Sequence, residues 1–240
     1  MLKIKIPLML SVLLIISLNS CYIDFRETVY GNGNVKTEDR STDSFDRLKV
    51  SSGIDVFITQ GDTESIKVIA DENLLQYIST EIYDNTLTVE SRARIRNAKS
   101  KEVHLVYKTL RKIDISSAGN VEGTNRMKTD ELDLDLSSAG DLTLDVEVSR
   151  INLDISSAGD AKLSGTVDEL DADLSSAGDL NAYDLLARKA RVSTSSAGSA
   201  KISASEEVDL NASSAGDIYY KGDPKTTSIN RSSAGSIIKK

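Results

Sequence analysis

The stretch Ile151-Asn152-Leu153-Asp154-Ile155-Ser156-Ser157-Ala158-Gly159-Asp160-Ala161-Lys162-Leu163 decides the fold. Ile151, Leu153 and Ile155 alternate with Asn152 and Asp154, a period of two that belongs to a strand with one face buried and one exposed. Ser156-Ser157-Ala158-Gly159 interrupts the alternation, and a second run begins at Asp160. The same tetrapeptide starts at Ser116, Ser137, Ser156, Ser175, Ser195, Ser213 and Ser232, at intervals of 21, 19, 19, 20, 18 and 19 residues. A period near 20 marks a solenoid, in which no unit can bury its apolar face alone and each must stack on its neighbours.

Working outward, Leu132, Leu134 and Leu136 precede one motif, and Leu170, Ala172 and Leu174 precede another. The positions five, three and one before each corner therefore line the interior. Ser-Ser-Ala-Gly makes the corner, where glycine is free to take positive φ, alanine is small enough for a tight bend, and serine hydroxyls satisfy one another. One coil holds short strands separated by turns, and equivalent strands of successive coils lie parallel, about 4.8 Å apart. The fold class is all-β: a single-chain parallel β-helix, right-handed by the chirality of parallel crossovers, with a less regular N-terminal half. The leucine and asparagine spacing of a leucine-rich repeat is missing.

The phase of the repeat extends upstream. Val50-Ser51-Ser52-Gly53-Ile54-Asp55-Val56 aligns without a gap to Ile115-Ser116-Ser117-Ala118-Gly119-Asn120-Val121, and the 65 residues between leave room for about three coils. Within them, Ile66–Ile69 reads as a strand, Glu72–Ile78 as a short helical turn, Thr80–Tyr83 and Thr86–Glu90 as a hairpin across Asp84-Asn85, and Val103–Lys108 as a strand. Residues 45–112 thus form an irregular first half and residues 113–240 the regular repeats, around a continuous core.

The first 20 residues belong to targeting. Lys3 and Lys5 form a positive start, Ile6 to Leu18 is apolar, and the run is too short to span a membrane comfortably. Leu18-Asn19-Ser20-Cys21 resembles the bacterial lipobox, which implies a cleaved signal peptide 1–20, a lipidated Cys21 and a tether over 21–44. The membrane is then a partner through the lipid anchor rather than through a span, and the location is the cell envelope, on the outer membrane.

Charge and composition narrow the function. The net charge is −8, and residues 113–218 carry 21 acids against 8 bases. That excess argues against nucleic acid, which needs a basic footprint. One cysteine and one histidine exclude a disulfide framework, a cysteine-based zinc site and a multi-histidine metal cluster. Asp114, Asp135, Asp154 and Asp173 occupy one outward position in four successive coils, and Asp141, Asp160 and Asp179 another beyond the corner. Stacked carboxylates at 4.8 Å repel by about 0.9 kcal/mol in water and about 3.5 at an effective dielectric of 20. Solvation, turn hydrogen bonds or nearby lysines offset this. No cofactor is called for; calcium on these rows is the sharper alternative, although the glycine-rich nonapeptide of calcium β-rolls is absent.

Arg92, Arg94 and Arg96, with Lys99 and Lys101, form a basic run suited to anion contact. The seven serine pairs cannot all share His104 as a base, and no Gly-x-Ser-x-Gly elbow exists. The coils from Ile113 to Ala204 show no local break that would mark a catalytic site, so catalytic residues are none.

Gly31-Asn32-Gly33-Asn34-Val35-Lys36, Phe45-Asp46-Arg47-Leu48 and Ser52-Gly53-Ile54-Asp55-Val56-Phe57-Ile58-Thr59-Gln60-Gly61, followed by the serine-rich repeats, resemble the head GIN domain family over residues 31–238. The family is autotransporter-adhesin-head-like and common on lipoproteins of Bacteroidetes-type bacteria. The resemblance implies a β-solenoid at the envelope and an adhesive role, and carries over no catalytic residue. The expectation is a non-catalytic adhesion or ligand-binding module, with a glycan, a surface protein or a second copy of the chain as partner. The alternatives are an envelope scaffold and a polysaccharide-active enzyme.

Overall fold

The computed structural model describes residues 26–240; the signal stretch and Cys21 lie outside the described residues. The first half contains β1 (Thr28–Tyr30), β2 (Val35–Arg40), β3 (Arg47–Val50), β4 (Asp55–Gln60), β5 (Ser65–Asp71), a 3-10 helix (Glu72–Tyr77), β6 (Ile78–Tyr83), β7 (Thr86–Ser91), β8 (Arg94–Arg96) and β9 (Lys101–Tyr107). The repeats contain β10 (Lys112–Ile115), β11 (Asn120–Gly123), β12 (Met127–Leu136), β13 (Asp141–Ile155), β14 (Asp160–Leu174), β15 (Asp179–Thr194), β16 (Ser199–Ala212), β17 (Asp217–Lys221), β18 (Thr226–Arg231) and β19 (Ser236–Lys239). Together they wind into a β-solenoid of about seven turns.

Each regular coil is one long strand closed by a single corner, rather than several short strands. β13 and β14 have 15 residues each, β15 has 16 and β16 has 14. β13 pairs with β14 in parallel register, from Asp141↔Asp160 to Ile155↔Leu174. The strand bends where its alternation slips: Ser149 and Arg150 are both exposed, between buried Val148 and Ile151. Side chains stack down the interior in register, as in the row Leu134, Leu153, Ala172, Val192, Leu210. One buried cluster runs from Phe45 to Ile237, and each fully buried Leu, Ile or Val in it contributes about 1.5–3 kcal/mol.

The corner differs from the sequence expectation. The second serine and the alanine, not the glycine, take the left-handed conformation: φ is 48° to 51° at Ser117, Ser138, Ser157, Ser176, Ser196, Ser214 and Ser233, and 58° to 66° at the following alanines. These are the two central residues of a tight turn closed by the glycine N–H donating to the first serine carbonyl, at 3.0 Å for Gly140 to Ser137. Left-handed peptides tilt their amides along the solenoid axis, so the ladder continues through the turn. Ala139 N–H donates to Ser157 O and Ala158 N–H to Ser176 O, each at 3.0 Å.

The glycine is needed for space. It is buried against the preceding coil, and a Cβ on Gly140 would lie 2.8 Å from Ile115 O, as one on Gly178 would from Ile155 O. The expected bonding among corner serine hydroxyls does not form among the described residues, because the second serine points into solvent and the backbone ladder already satisfies the turn.

The first half is a cap. β10 and β11 stack directly on β3 and β4, with Val50↔Ile115 and Val56↔Val121 as partners. The gapless alignment is therefore a physical adjacency, and the three coils expected between the two segments do not exist. The intervening chain adds one layer on the far side, with β7 parallel to β3 and β9 parallel to β4. Antiparallel strands then close the stack: β6 on β7, β5 on β9 and β2 on β5. The β6–β7 turn places Asp84 and Asn85 at φ 47° and 57°, residues that tolerate this conformation. A hairpin reverses chain direction, so it covers an end instead of extending a coil. β1 and β2 lie inside the 21–44 stretch assigned to the tether, so regular structure begins earlier than the sequence suggests.

Asp71 clasps the cap. It is fully buried, and its carboxylate accepts from Gly33 N–H at 2.7 Å, Lys99 N–H at 3.0 Å and Ser100 N–H at 3.1 Å. Burial alone would push its pKa up. The Gly33, Ser100 and Lys99 backbone donors and the Lys99 charge outweigh that, and hold it below the ordinary value. Arg40 supports the same end: its guanidinium donates to the carbonyls of Leu75 and Ile78 at the close of the 3-10 helix. The other end is bare. Among the described residues β18 pairs only with β16 and β19 only with β17, and every residue of β18 is exposed.

Candidate binding groove

Half a coil from the corner the strands stop being equivalent. Val148 stands eight residues after Gly140 and eight before Ser156. On this flank β14 shifts register against β15 between Lys162 and Ser164. β15 then leaves Tyr183, Asp184 and Leu185 without partners on β16, because Ala182 pairs with Ile202 and Leu186 with Ser203. Gly165 sits at the first shift with φ 104°, and a Cβ there would fall 2.0 Å from Val146 O. Ser203 Oγ fills the second shift by donating to Tyr183 O at 2.8 Å.

A groove of about 1320 Å³ runs across these coils. Its floor is the row Val148, Val167, Ala187 and Ala204, all buried. Beside it lies the outward row Lys128, Glu147, Thr166, Leu186, Ser203 and Lys221, paired strand to strand. Leu186 is 64 % exposed, because the extra residue in β15 buries Leu185 and turns its neighbour outward. Charges occur in pairs around it. Lys128 Nζ lies 2.8 Å from Glu147 Oε2, and that hydrogen bond holds the Glu147 carboxyl below its ordinary pKa. Arg188 bridges Asp168 at 3.3 Å and Glu206 at 2.8 Å. At one end the Lys221 ammonium lies 4.0 Å from the Tyr183 ring centre, a cation–π contact. The arrangement offers an extended ligand an apolar strip with fixed polar groups on both sides.

Sequence reasoning missed this groove. The expected regularity from Ile113 to Ala204 fails at Ser164–Gly165 and at Tyr183–Leu186. The signal was the pair of intervals 20 and 18 flanking the coil of Ser195: one residue gained and one lost locate the bulge.

The residues singled out from the sequence lie elsewhere. Asp135 pairs with Asp154 and Asp154 with Asp173 on the face before the corner, and Asp141, Asp160 and Asp179 form a second row after it. The rows are in register, as the sequence indicates. Lys112 reaches both Asp114 and Asp135. Burial, then Asp135 and Asp173, raise the pKa of Asp154; burial, then Asp179 and Asp141, raise that of Asp160. Asp135 is lowered, since Lys112 and Asp114 hydrogen bonds outweigh its burial. No group of three histidine, cysteine or acidic side chains among the described residues is arranged to hold a metal ion. His104 stacks on Phe57 with ring centres 4.8 Å apart, away from the corner serines. Arg94 and Arg96 lie on β8, which pairs with β1, while Arg92 bonds Ser79 and Glu81.

A family model described as "Putative auto-transporter adhesin, head GIN domain" matches residues 44–224. The chain belongs to this family. Among solved structures it is similar to an adhesin-described protein of Bacteroides fragilis, 23% identical with a TM-score of 0.82, over 88% of this chain and 100% of that one. A second, from Parabacteroides merdae and also described as a putative adhesin, is 22% identical with a TM-score of 0.71, over 89% and 99%. A third, described as a putative lipid binding protein of Parabacteroides distasonis, is 21% identical with a TM-score of 0.72, over 89% and 100%. At these identities the likeness concerns the fold. No curated protein matches the chain.

Proposed function

We propose that this head GIN chain is a non-catalytic adhesion module of the cell envelope, lipid-anchored through Cys21, that holds an extended glycan or protein segment in the groove. One observation carries the reading: the repeat breaks where an apolar floor, an exposed Leu186 and ion-paired charges converge. A concave surface with an apolar anchor and a few fixed polar groups is the usual form of a binding site. Adhesion agrees with the family description. The groove carboxylates Glu147, Asp168 and Glu206 are engaged by Lys128 and Arg188, which suits fixed hydrogen-bond acceptors better than proton-transfer groups.

A glycan array, a panel of matrix proteins and a cell-adhesion assay test it. The wild-type chain binds at least one of them, and Leu186→Asp binds none; binding unaffected by Leu186→Asp removes the groove from the reading. For the anchor, Cys21→Ala loses labelling by a fatty-acid analogue and leaves the membrane fraction. Protease shaving of intact cells reports the face of the envelope.

The bare edges of β18 and β19 favour a second reading, end-to-end assembly, since unpaired strand edges template pairing with another chain. Light scattering distinguishes them: a monomer at all concentrations retires assembly.

A further inference from the structure

In the cap layer, the corner between β7 and β9 is not the four-residue turn. Residues 92–100 replace it, and the stretch Ser91–Lys101 holds five cations and no acid. The first described residues run onto this stretch. β1 pairs in parallel with β8, with Thr28↔Arg94, Val29↔Ile95 and Tyr30↔Arg96. Glu27 O accepts from Arg94 N–H at 2.7 Å and Arg96 O from Gly31 N–H at 3.0 Å. Val29 and Ile95 pack against the core, so the outer face of this small sheet shows Thr28, Tyr30, Arg94 and Arg96. Tyr30 is 62 % exposed. The positive surface extends down the corner column: Arg26 bonds Ser52 Oγ, and the Lys101 ammonium lies beside Gly53. The acids of the neighbouring sequence are fewer than its cations: Asp24 and Glu27 precede β1, Glu81 is engaged by Arg92, and Asp71 is buried.

We propose that the β1–β8 sheet is a membrane-docking surface that seats the cap end of the solenoid on anionic phospholipid headgroups. Exposed tyrosine beside arginine is the side-chain chemistry of a membrane–water interface, and clustered cations there are drawn to anionic lipid. The orientation rests on the anchoring at Cys21 proposed above. Arg26 stands five positions after Cys21, and five extended residue steps span no more than about 18 Å. A lipid at Cys21 therefore keeps this sheet closest to the bilayer. Residues 113–218 balance to −13, so a negative membrane repels the body of the solenoid while attracting the basic stretch of the cap, and the groove projects outward, free of the bilayer.

The test uses the chain from Cys21 onward, made without lipid as Cys21→Ser so that docking is measured apart from anchoring; the whole described core lies within it. The chain sediments with phosphatidylcholine vesicles doped with phosphatidylglycerol, and not with phosphatidylcholine alone. Each cation removed weakens partition about fivefold, so Arg94→Gln/Arg96→Gln loses most binding while Lys225→Gln/Lys240→Gln, at the far end, keeps it. The chain has no tryptophan, so Tyr30→Trp gives a single reporter whose emission shifts to the blue on the doped vesicles, whereas Tyr83→Trp on the hairpin tip does not shift. Equal binding to both vesicle types, equal loss in the far-end variant, a response at Tyr83→Trp in place of Tyr30→Trp, or tighter binding of a soluble sulfated polysaccharide to this same face would each overturn the proposal. Loss of fatty-acid labelling in the native chain would sink the anchor while leaving these results intact.

Discussion

The corner column and the groove flank are built by the same coils, half a turn apart, yet one repeats a tetrapeptide seven times and the other never repeats a residue pattern. At the corner, three backbone demands coincide in every coil. Two residues must be left-handed, their amides must reach the next coil, and the following residue must clear a carbonyl 2.1–3.2 Å from where its Cβ would be. On the flank the strands only have to bend, which many sequences do. Constraint on backbone geometry therefore produces the repetition, and its relaxation leaves a place where register can shift and a site can form.

The largest way to test that contrast is to fill the corner. Gly178→Ala puts a methyl against Ile155 O and its side chain. The cost is about 3 kcal/mol, the upper end for overpacking, seen as a loss of about 10 °C in thermal midpoint for a domain of this size. A loss below a degree would mean that the corner glycine is not set by crowding.

These corners show what was legible from sequence. Period and alternation placed Leu132, Leu134 and Leu136 inside, the Asp rows outside, and the hairpin at Asp84-Asn85, because each depends on local pattern alone. The role of the corner glycine was not legible. Glycine serves both where φ is positive and where space is short, and its identity does not say which. Nor was the cap: Val50–Val56 matched Ile115–Val121 correctly, but sequence distance cannot say that β7 and β9 stack on the far side of β3 and β4. The groove was legible only in the intervals 20 and 18, which look like jitter until the strands are paired.

Next in size is pH, which divides the clasp at Asp71 in the cap from Asp154 and Asp160 in the repeats. Asp114, raised by burial and by Asp135, takes up protons above the ordinary value of 3.8, and so do Asp154 and Asp160. Such groups stabilise the fold more as pH falls from neutral through their raised pKa values, and fully below 3.8. Asp71 has the opposite sign: its contribution is present above 3.8 and is lost as pH falls through its lowered value. Hydrogen exchange should show the coils around Asp154 and Asp160 gaining protection as pH falls from neutral, and the cap around Asp71 opening first at lower pH. Asp154→Asn should capture part of the gain at pH 7, about 0.2–1 kcal/mol for each like-charged neighbour relieved. The coils around Asp154 and Asp160 responding like the cap around Asp71 would break the division. The rows beside the Asp ladders already show the remedy in the native chain: Arg191 sits between Asp171 and Asp209, and Lys189 between Glu169 and Glu207.

A smaller effect comes from the turn itself. Ala177 is held at φ 63°, which costs a non-glycine residue about 1–2 kcal/mol, while glycine pays about 0.5–1 in chain entropy. Ala177→Gly should therefore stabilise by about 0.5 kcal/mol, the reverse of Gly178→Ala one residue along. Denaturant titration resolves the sign, and destabilisation by Ala177→Gly would show that its methyl has a packing role.

The smallest change in stability is expected at the groove. Leu186 is outward on a strand whose neighbour Leu185 already fills the interior, so Leu186→Asp should shift stability by no more than about 0.5 kcal/mol. Its effect on ligand capture should be total, because the charge lands on the one exposed apolar side chain above the Val148–Ala204 floor. Measuring melting and binding on the same variant separates the two sides of the coil. A large loss of stability would mean that Leu186 belongs to the core after all, and that the flank is constrained as tightly as the corner.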